Sequence, residues 1–130
     1  MFAACGETGT SGSVSGTPVA PVNGELTVRA FEWGYEPNPI LLQQEEQVRI
    51  IVENDGATLH NFKIEELSAD VTESSSSGPL AGEEGEVFVG VESGGRGFLV
   101  FTPLEVGTFA FFCTVYGHRD QGMEGALIVQ

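Results

Sequence analysis

One stretch of the chain gathers three side chains with soft or borderline donor atoms: Cys113-Thr114-Val115-Tyr116-Gly117-His118-Arg119-Asp120-Gln121-Gly122-Met123. Four residues separate the cysteine from the histidine, and four more separate the histidine from the methionine. A strand-like run over residues 107–112 leads into the cysteine, and another over residues 125–130 follows the methionine. The three side chains therefore belong to one loop at the end of a sheet, not to one face of a helix. The chain's other histidine, His60, opens a further strand-like run, His60-Asn61-Phe62-Lys63-Ile64.

Taken singly, each residue has an ordinary reading. A lone cysteine in a sheet is usually a small buried hydrophobe, a lone methionine fills gaps, and a histidine on a loop is usually solvated. Their joint placement points elsewhere. Both histidines, the one cysteine outside the first residues and the one methionine besides Met1 are used together. A thiolate, an imidazole and a thioether are ligands that suit copper. Two histidines and a cysteine in a trigonal plane, with a long axial methionine, make the blue-copper electron-transfer site. The expected ligand set is His60, Cys113, His118 and Met123, around one ion cycling between Cu(I) and Cu(II). His60 should be buried, and His118 should show its ring edge at the surface as the route for the electron. Tyr116 and Val115 would then form a docking patch.

With these residues in view, the chain resembles a cupredoxin, a small blue (type 1) copper protein. Four-residue gaps on both sides of His118 are similar to the rusticyanin, sulfocyanin and auracyanin group, whereas azurin and plastocyanin close the loop with fewer residues. His60-Asn61-Phe62 resembles the first-histidine segment of the family. Glu36-Pro37-Asn38-Pro39-Ile40 resembles its Pro-containing second strand. The resemblance spans residues 24–130. Tyr116 is a departure, standing where many family members have Pro before the Gly-His pair. The resemblance implies a one-electron carrier, not an enzyme, shuttling electrons between redox proteins of a respiratory or photosynthetic chain. Its partners would be proteins such as c-type cytochromes or a terminal oxidase. Asn61 is the expected outer partner of the site: its backbone N–H or side chain would donate a hydrogen bond to the Cys113 sulfur and help tune the metal.

Length and charge agree with a single-domain carrier. A chain of 130 residues fits one domain with one core. Nineteen acidic residues against five Lys and Arg give a net charge of −14. That excludes nucleic acid as a natural partner, because phosphate binding needs Lys and Arg. It suits steering towards a basic partner, an attraction that weakens with salt. A monomer is expected.

The elements that must position the ligands read as all-β: a cupredoxin-like Greek-key β-sandwich or barrel of about eight strands, with no convincing helix. Residues 25–31, 47–53 and 87–91 alternate apolar and polar as half-buried strands do. Trp33-Gly34-Tyr35 reads as a turn. Pro37 and Pro39 forbid a central strand and suggest an edge, with Ile40 and Leu42 packing inward. Asn54-Asp55-Gly56 is a turn signal. Residues 97–102, ended by Pro103, complete the strands. Residues 67–86, rich in Ser, Gly and acids, read as a long inserted loop. It is either solvated or turned towards a basic partner.

The domain is expected over residues 25–130, with residues 1–24 as a flexible low-complexity tether. Phe2-Ala3-Ala4-Cys5 resembles the end of a bacterial lipoprotein signal, in which the cysteine receives lipid. Lipid on Cys5 would place the domain outside the cytoplasm, in the periplasm or on the outer face of the cell membrane, with no spanning helix. A Cys5–Cys113 disulfide is not expected, since the metal claims Cys113.

Other functions fit less well. A multicopper oxidase or nitrite reductase needs further histidines. A binuclear copper centre needs a second loop cysteine. Hydrolytic Cys-His catalysis needs an exposed thiolate and an oriented base. Copper storage or delivery is the main alternative. A metal-free adhesion sandwich leaves the ligand coincidence unexplained.

Overall fold

The computed structural model describes residues 16–76 and 86–130. They form ten strands: β1 (Glu25–Phe31), β2 (Gly34–Glu36), β3 (Ile40–Leu42), β4 (Val48–Asn54), β5 (His60–Ile64), β6 (Ala69–Ser74), β7 (Phe88–Val91), β8 (Arg96–Pro103), β9 (Gly107–Phe112) and β10 (Glu124–Val129). A single turn of 3-10 helix, Arg119–Gln121, lies between the last two.

The strands make two five-stranded sheets, ordered β2-β1-β4-β8-β6 and β3-β10-β9-β5-β7. Most neighbours are antiparallel, but β1 runs parallel to β4 and β3 parallel to β10. Those pairings require crossovers between sheets rather than hairpins. The all-β expectation holds. Alternation supplies the core between the sheets. Val28 and Ala30 of β1, Ile50 and Val52 of β4, and Leu99 and Phe101 of β8 meet Ile40, Phe62, Val89, Phe111 and Leu127 of the opposite sheet. Phe62 stacks on Phe111 with ring centroids 4.9 Å apart, and Tyr35 meets both edge-on.

Two strands lie beyond the eight expected. The reversal after β1 falls on Glu32 and Trp33, so Gly34 and Tyr35 belong to β2 instead of a turn. Within the stretch expected to be a loop, Ala69–Ser74 forms β6, an edge strand paired with β8 through an irregular register. Four of its six residues are exposed, so no apolar alternation marks it. Residues 77–85 of that stretch lie outside the described residues. The folded domain also reaches further back than residue 25: Val19 N–H donates to the Pro39 carbonyl, and Leu41 N–H donates to that of Val19. Residues 1–15, Cys5 among them, lie outside the described residues. Among the described residues, no helix is long and apolar enough to cross a membrane.

Candidate metal centre

The site forms where β5 and β9 part company. The two strands pair at Lys63–Phe112 and Ile64–Phe111 and then diverge. Cys113, the residue after β9, therefore lies beside the first residues of β5. Asn61 bridges the opening. Its Oδ1 accepts the Thr114 N–H at 2.7 Å, and its Nδ2 donates to Thr114 Oγ1 at 2.8 Å. Its backbone N–H donates to Cys113 Sγ at 3.5 Å. Of the two donors that the sequence offered at Asn61, the backbone is the one that reaches the sulfur, while the side chain ties the loop to the strand. The buried Tyr35 hydroxyl donates to the Asn61 carbonyl at 2.5 Å, fixing this strand end from below.

His60, Phe62 and Ile64 point to the core face of β5, as period-two alternation dictates. His60 is fully buried. Its Nε2–H donates to Glu32 Oε2 at 2.5 Å. Its Nδ1 is buried and has no hydrogen-bond partner among the described residues. Buried polar atoms are nearly always satisfied, so an imidazole nitrogen left bare invites a ligand.

The loop turns the other donors towards that atom. Ligand atoms of His60, Cys113 and His118 all lie within 4.8 Å of one another, and all three residues are buried. His118 Nδ1 is 3.4 Å from Cys113 Sγ. The loop is held by its own backbone. His118 N–H donates to the Val115 carbonyl, the His118 carbonyl accepts from Gln121 and Met123, and Cys113 N–H donates to the Met123 carbonyl. Gly117, at φ 81°, takes a left-handed conformation that few other residues adopt readily. Arg119 fastens the outside, pairing with Glu65 and Glu124 and lying 3.9 Å over the Phe112 ring. Met123 is fully buried in the core beneath the loop.

His118 lies close under the surface. It is 8% exposed, and Trp33 packs edge-on against it with centroids 4.8 Å apart. Trp33 is itself 41% exposed and also approaches His60. Tyr116 at the loop tip is 98% exposed.

Two neighbours of the site, Glu32 and Trp33, were not expected there; Trp33 was read from sequence as part of a turn. They occupy the β1–β2 reversal, far from every ligand along the chain, and no motif marks them. The turn signal Asn54-Asp55-Gly56 was legible, but not its purpose. Buried Asn54 accepts the Gly56 N–H and donates to the carbonyls of Thr58 and Val91. That shapes the loop so that Ala57 N–H donates to both Glu32 oxygens, at 3.0 and 3.2 Å.

The electrostatics suit a metal. The Ala57 N–H, with His60 beside it, holds the Glu32 carboxyl below the usual carboxylate range. Burial pushes the His118 imidazolium down, so the ring is neutral with a lone pair to offer. Burial pushes the Cys113 thiol up, against the Asn61 and Val115 N–H groups that favour the thiolate. Without a cation the sulfur keeps its proton. Burial also raises the Tyr35 phenol, which stays protonated.

The family model of the cupredoxin-like domain matches residues 13–129. The chain belongs to the cupredoxin-like family. Solved structures resemble it over most of its length. A dithionite-reduced auracyanin from Roseiflexus castenholzii is 18% identical, with a TM-score of 0.64, covering 83% of this chain and 98% of its own. Auracyanin A from Chloroflexus aurantiacus, a "blue" copper protein, is 19% identical, with a TM-score of 0.60, covering 82% of this chain and all of its own. A multicopper oxidase from Campylobacter jejuni is 16% identical, with a TM-score of 0.60; the match covers 88% of this chain but 31% of the oxidase. No curated protein matches the chain by sequence. For this cupredoxin, the group that fits the bare nitrogen, the thiol and the second imidazole is a single copper ion.

Proposed function

We propose that this cupredoxin is a one-electron carrier with a mononuclear blue-copper site, held by His60 Nδ1, the Cys113 thiolate and His118 Nδ1, with Met123 as the weak axial ligand. The observation that carries the reading is the unpartnered, buried His60 Nδ1 in a cluster with Cys113 and His118. Copper bound there supplies a one-electron Cu(I)/Cu(II) couple. The protein's part is to present the donors without rearrangement. His60 is fixed by a strand, Cys113 by the Asn61 clamp, and His118 and Met123 by the loop's backbone bonds. A frame so tied changes little between oxidation states. No bond in a substrate is made or broken.

The exposed Trp33 and Tyr116, with Val115, mark the face towards redox partners such as c-type cytochromes or a terminal oxidase of a respiratory or photosynthetic chain. The net charge of −14 favours basic partner surfaces. Lipidation of Cys5, with the residues that follow as a tether, would hold a monomeric domain outside the cytoplasm at a membrane. An oxidase would need additional copper centres. Both histidines of this chain lie at the one site, so those centres would require ligands from elsewhere.

The test is an optical and EPR spectrum of the oxidised, copper-loaded protein. Intense visible absorption with a narrow copper hyperfine splitting is expected. A colourless cupric form would overturn the reading. A reversible one-electron wave with slow copper loss separates a carrier from a storage or delivery protein, which would surrender copper rapidly to chelators.

A further inference from the structure

The contact between Glu32 and His60 is unlike the rest of the acidic surface. Among the described residues, most other carboxylates are solvated or pair with exposed Arg, and Glu86 pairs with Lys63. Glu32 is 28% exposed at its side chain and meets the nitrogen of a fully buried imidazole. Two further features of the chain are shaped around that meeting. The Ala57 N–H holds both carboxylate oxygens, in a loop set by Asn54. Gly56 leaves the space in which the pair meets: a Cβ there would lie 2.6 Å from His60 Nε2 and closer still to Glu32 Oε2. The carboxylate is thus aimed from one loop, clamped by a second and given room by a glycine.

An imidazole that donates one N–H to a carboxylate has its other nitrogen fixed as the lone-pair atom, and it becomes a stronger donor. The negative charge lies one ring away from the position the copper reading assigns to the ion. It stabilises the more highly charged oxidation state. We propose that Glu32 is a positioning residue of the copper centre: it locks His60 with Nδ1 facing the ion and biases the site towards Cu(II), lowering the reduction potential. This rests on the blue-copper reading above. Among the described residues no carboxylate bonds to His118; Trp33 lies against it instead. The bias is delivered through the strand-borne histidine.

Three variants separate locking from charge. Glu32→Gln keeps an oxygen that accepts from His60 Nε2–H but removes the charge. Glu32→Ala removes both. Gly56→Ala leaves Glu32 in the sequence and forces it away from the ring. The measurements are Cu(II) affinity by chelator competition, the potential by voltammetry, and the visible spectrum. Unfolding midpoints of the metal-free forms show that each variant is folded. In Glu32→Ala, Cu(II) affinity should fall 10–100-fold, roughly the usual effect of removing such a partner. In Glu32→Gln, most affinity and the visible band should remain. The Cu(II)/Cu(I) affinity ratio should drop by about tenfold, which raises a one-electron potential by about 59 mV. Gly56→Ala should follow Glu32→Ala in direction. If wild type is blue while Glu32→Ala and Glu32→Gln keep its potential and Cu(II) affinity, the role of Glu32 is overturned and the copper site stands. If wild type fails to give the blue spectrum, the copper reading itself falls and takes this proposal with it.

Discussion

The two histidines reach the site by opposite routes. His60 is part of a strand, flanked by core residues, with its ring fixed by Glu32 and bordered by Trp33. Everything that holds it comes from distant parts of the chain. His118 sits in an eleven-residue stretch that carries two other proposed ligands, and most of what holds it is the backbone of that same stretch. One half of the site is a product of tertiary packing, the other of local loop geometry. Substitutions in the strand half should therefore act mainly on stability and on the bias of the metal. Substitutions in the loop half should act mainly on what the metal is.

The largest effect should come from the loop. Cys113→Ser should abolish the intense visible absorption of the oxidised protein, since the thiolate is its source in a blue site. An optical titration with Cu(II) checks this. A strong visible band in the variant would show that sulfur from Cys113 is not a ligand. The matching test in the strand half is Phe62→Ala, two residues from His60. Phe62 is fully buried and stacked on Phe111. Its loss should destabilise the metal-free domain by about 3–5 kcal/mol in urea unfolding. A loss below about 1 kcal/mol would mean that the strand end relaxes freely, and the contrast between the halves would blur.

The same division explains what could be read from sequence. Cys113, His118 and Met123 lie at fixed short spacings between strand-like runs, so a loop site was visible without coordinates. His60 was found by elimination between two histidines, with support from the resemblance of His60-Asn61-Phe62 to the family's first-histidine segment. Strands with one buried face, such as β1 and β4, showed their alternation. β6 did not, because an edge strand with mostly exposed residues carries little hydrophobic period; beyond the backbone ladder it is tied in by partly buried Ala69 and Val71 and by the Thr72 hydroxyl, which donates to the Val100 carbonyl. Glu32 and Trp33 were invisible for a related reason. Their role depends on how far the β1–β2 reversal overhangs the other sheet. The contact of Trp33 with the His118 ring was hidden for the same reason, since Trp33 comes from that reversal.

Metal uptake should register the burial of the loop thiol. Burial raises the Cys113 thiol in the metal-free protein, while it lowers His118, which is already neutral near pH 7. Copper binding should therefore release about one proton from the thiol. Apparent affinity should rise about tenfold per pH unit below the thiol's pKa and level off above it. Proton release in weakly buffered solution with an indicator dye gives the count. A pH-independent affinity across pH 6–8 would mean that the thiolate exists before the metal arrives. That would place the N–H groups of Asn61 and Val115 above desolvation in importance.

Met123→Leu is a smaller perturbation. The two side chains are close in volume, so the stability of the metal-free domain should change by less than about 1.5 kcal/mol. Copper should remain bound and the potential should rise, because loss of a weak thioether donor disfavours Cu(II). A lowered potential would contradict the axial role. The result also bears on the comparison, since Met123, like Cys113, is a proposed loop ligand buried in the shared core.

Tyr116→Ala should do least to the fold and most to separate its inner and outer faces. The side chain is 98% exposed, so unfolding free energy should stay within about 0.5 kcal/mol of wild type. Spectrum and potential should not move, since none of the contacts that hold Cys113, His118 or Met123 passes through the Tyr116 side chain. Electron exchange with a protein partner is the one measurement free to change. Slower exchange at constant potential would assign Tyr116 to docking. Unaltered exchange would shift that role to Trp33, which is exposed and touches the His118 ring from the β1–β2 reversal. A shifted potential would instead mean that the loop tip is coupled to the metal, and the local rigidity assigned to the loop half would be wrong.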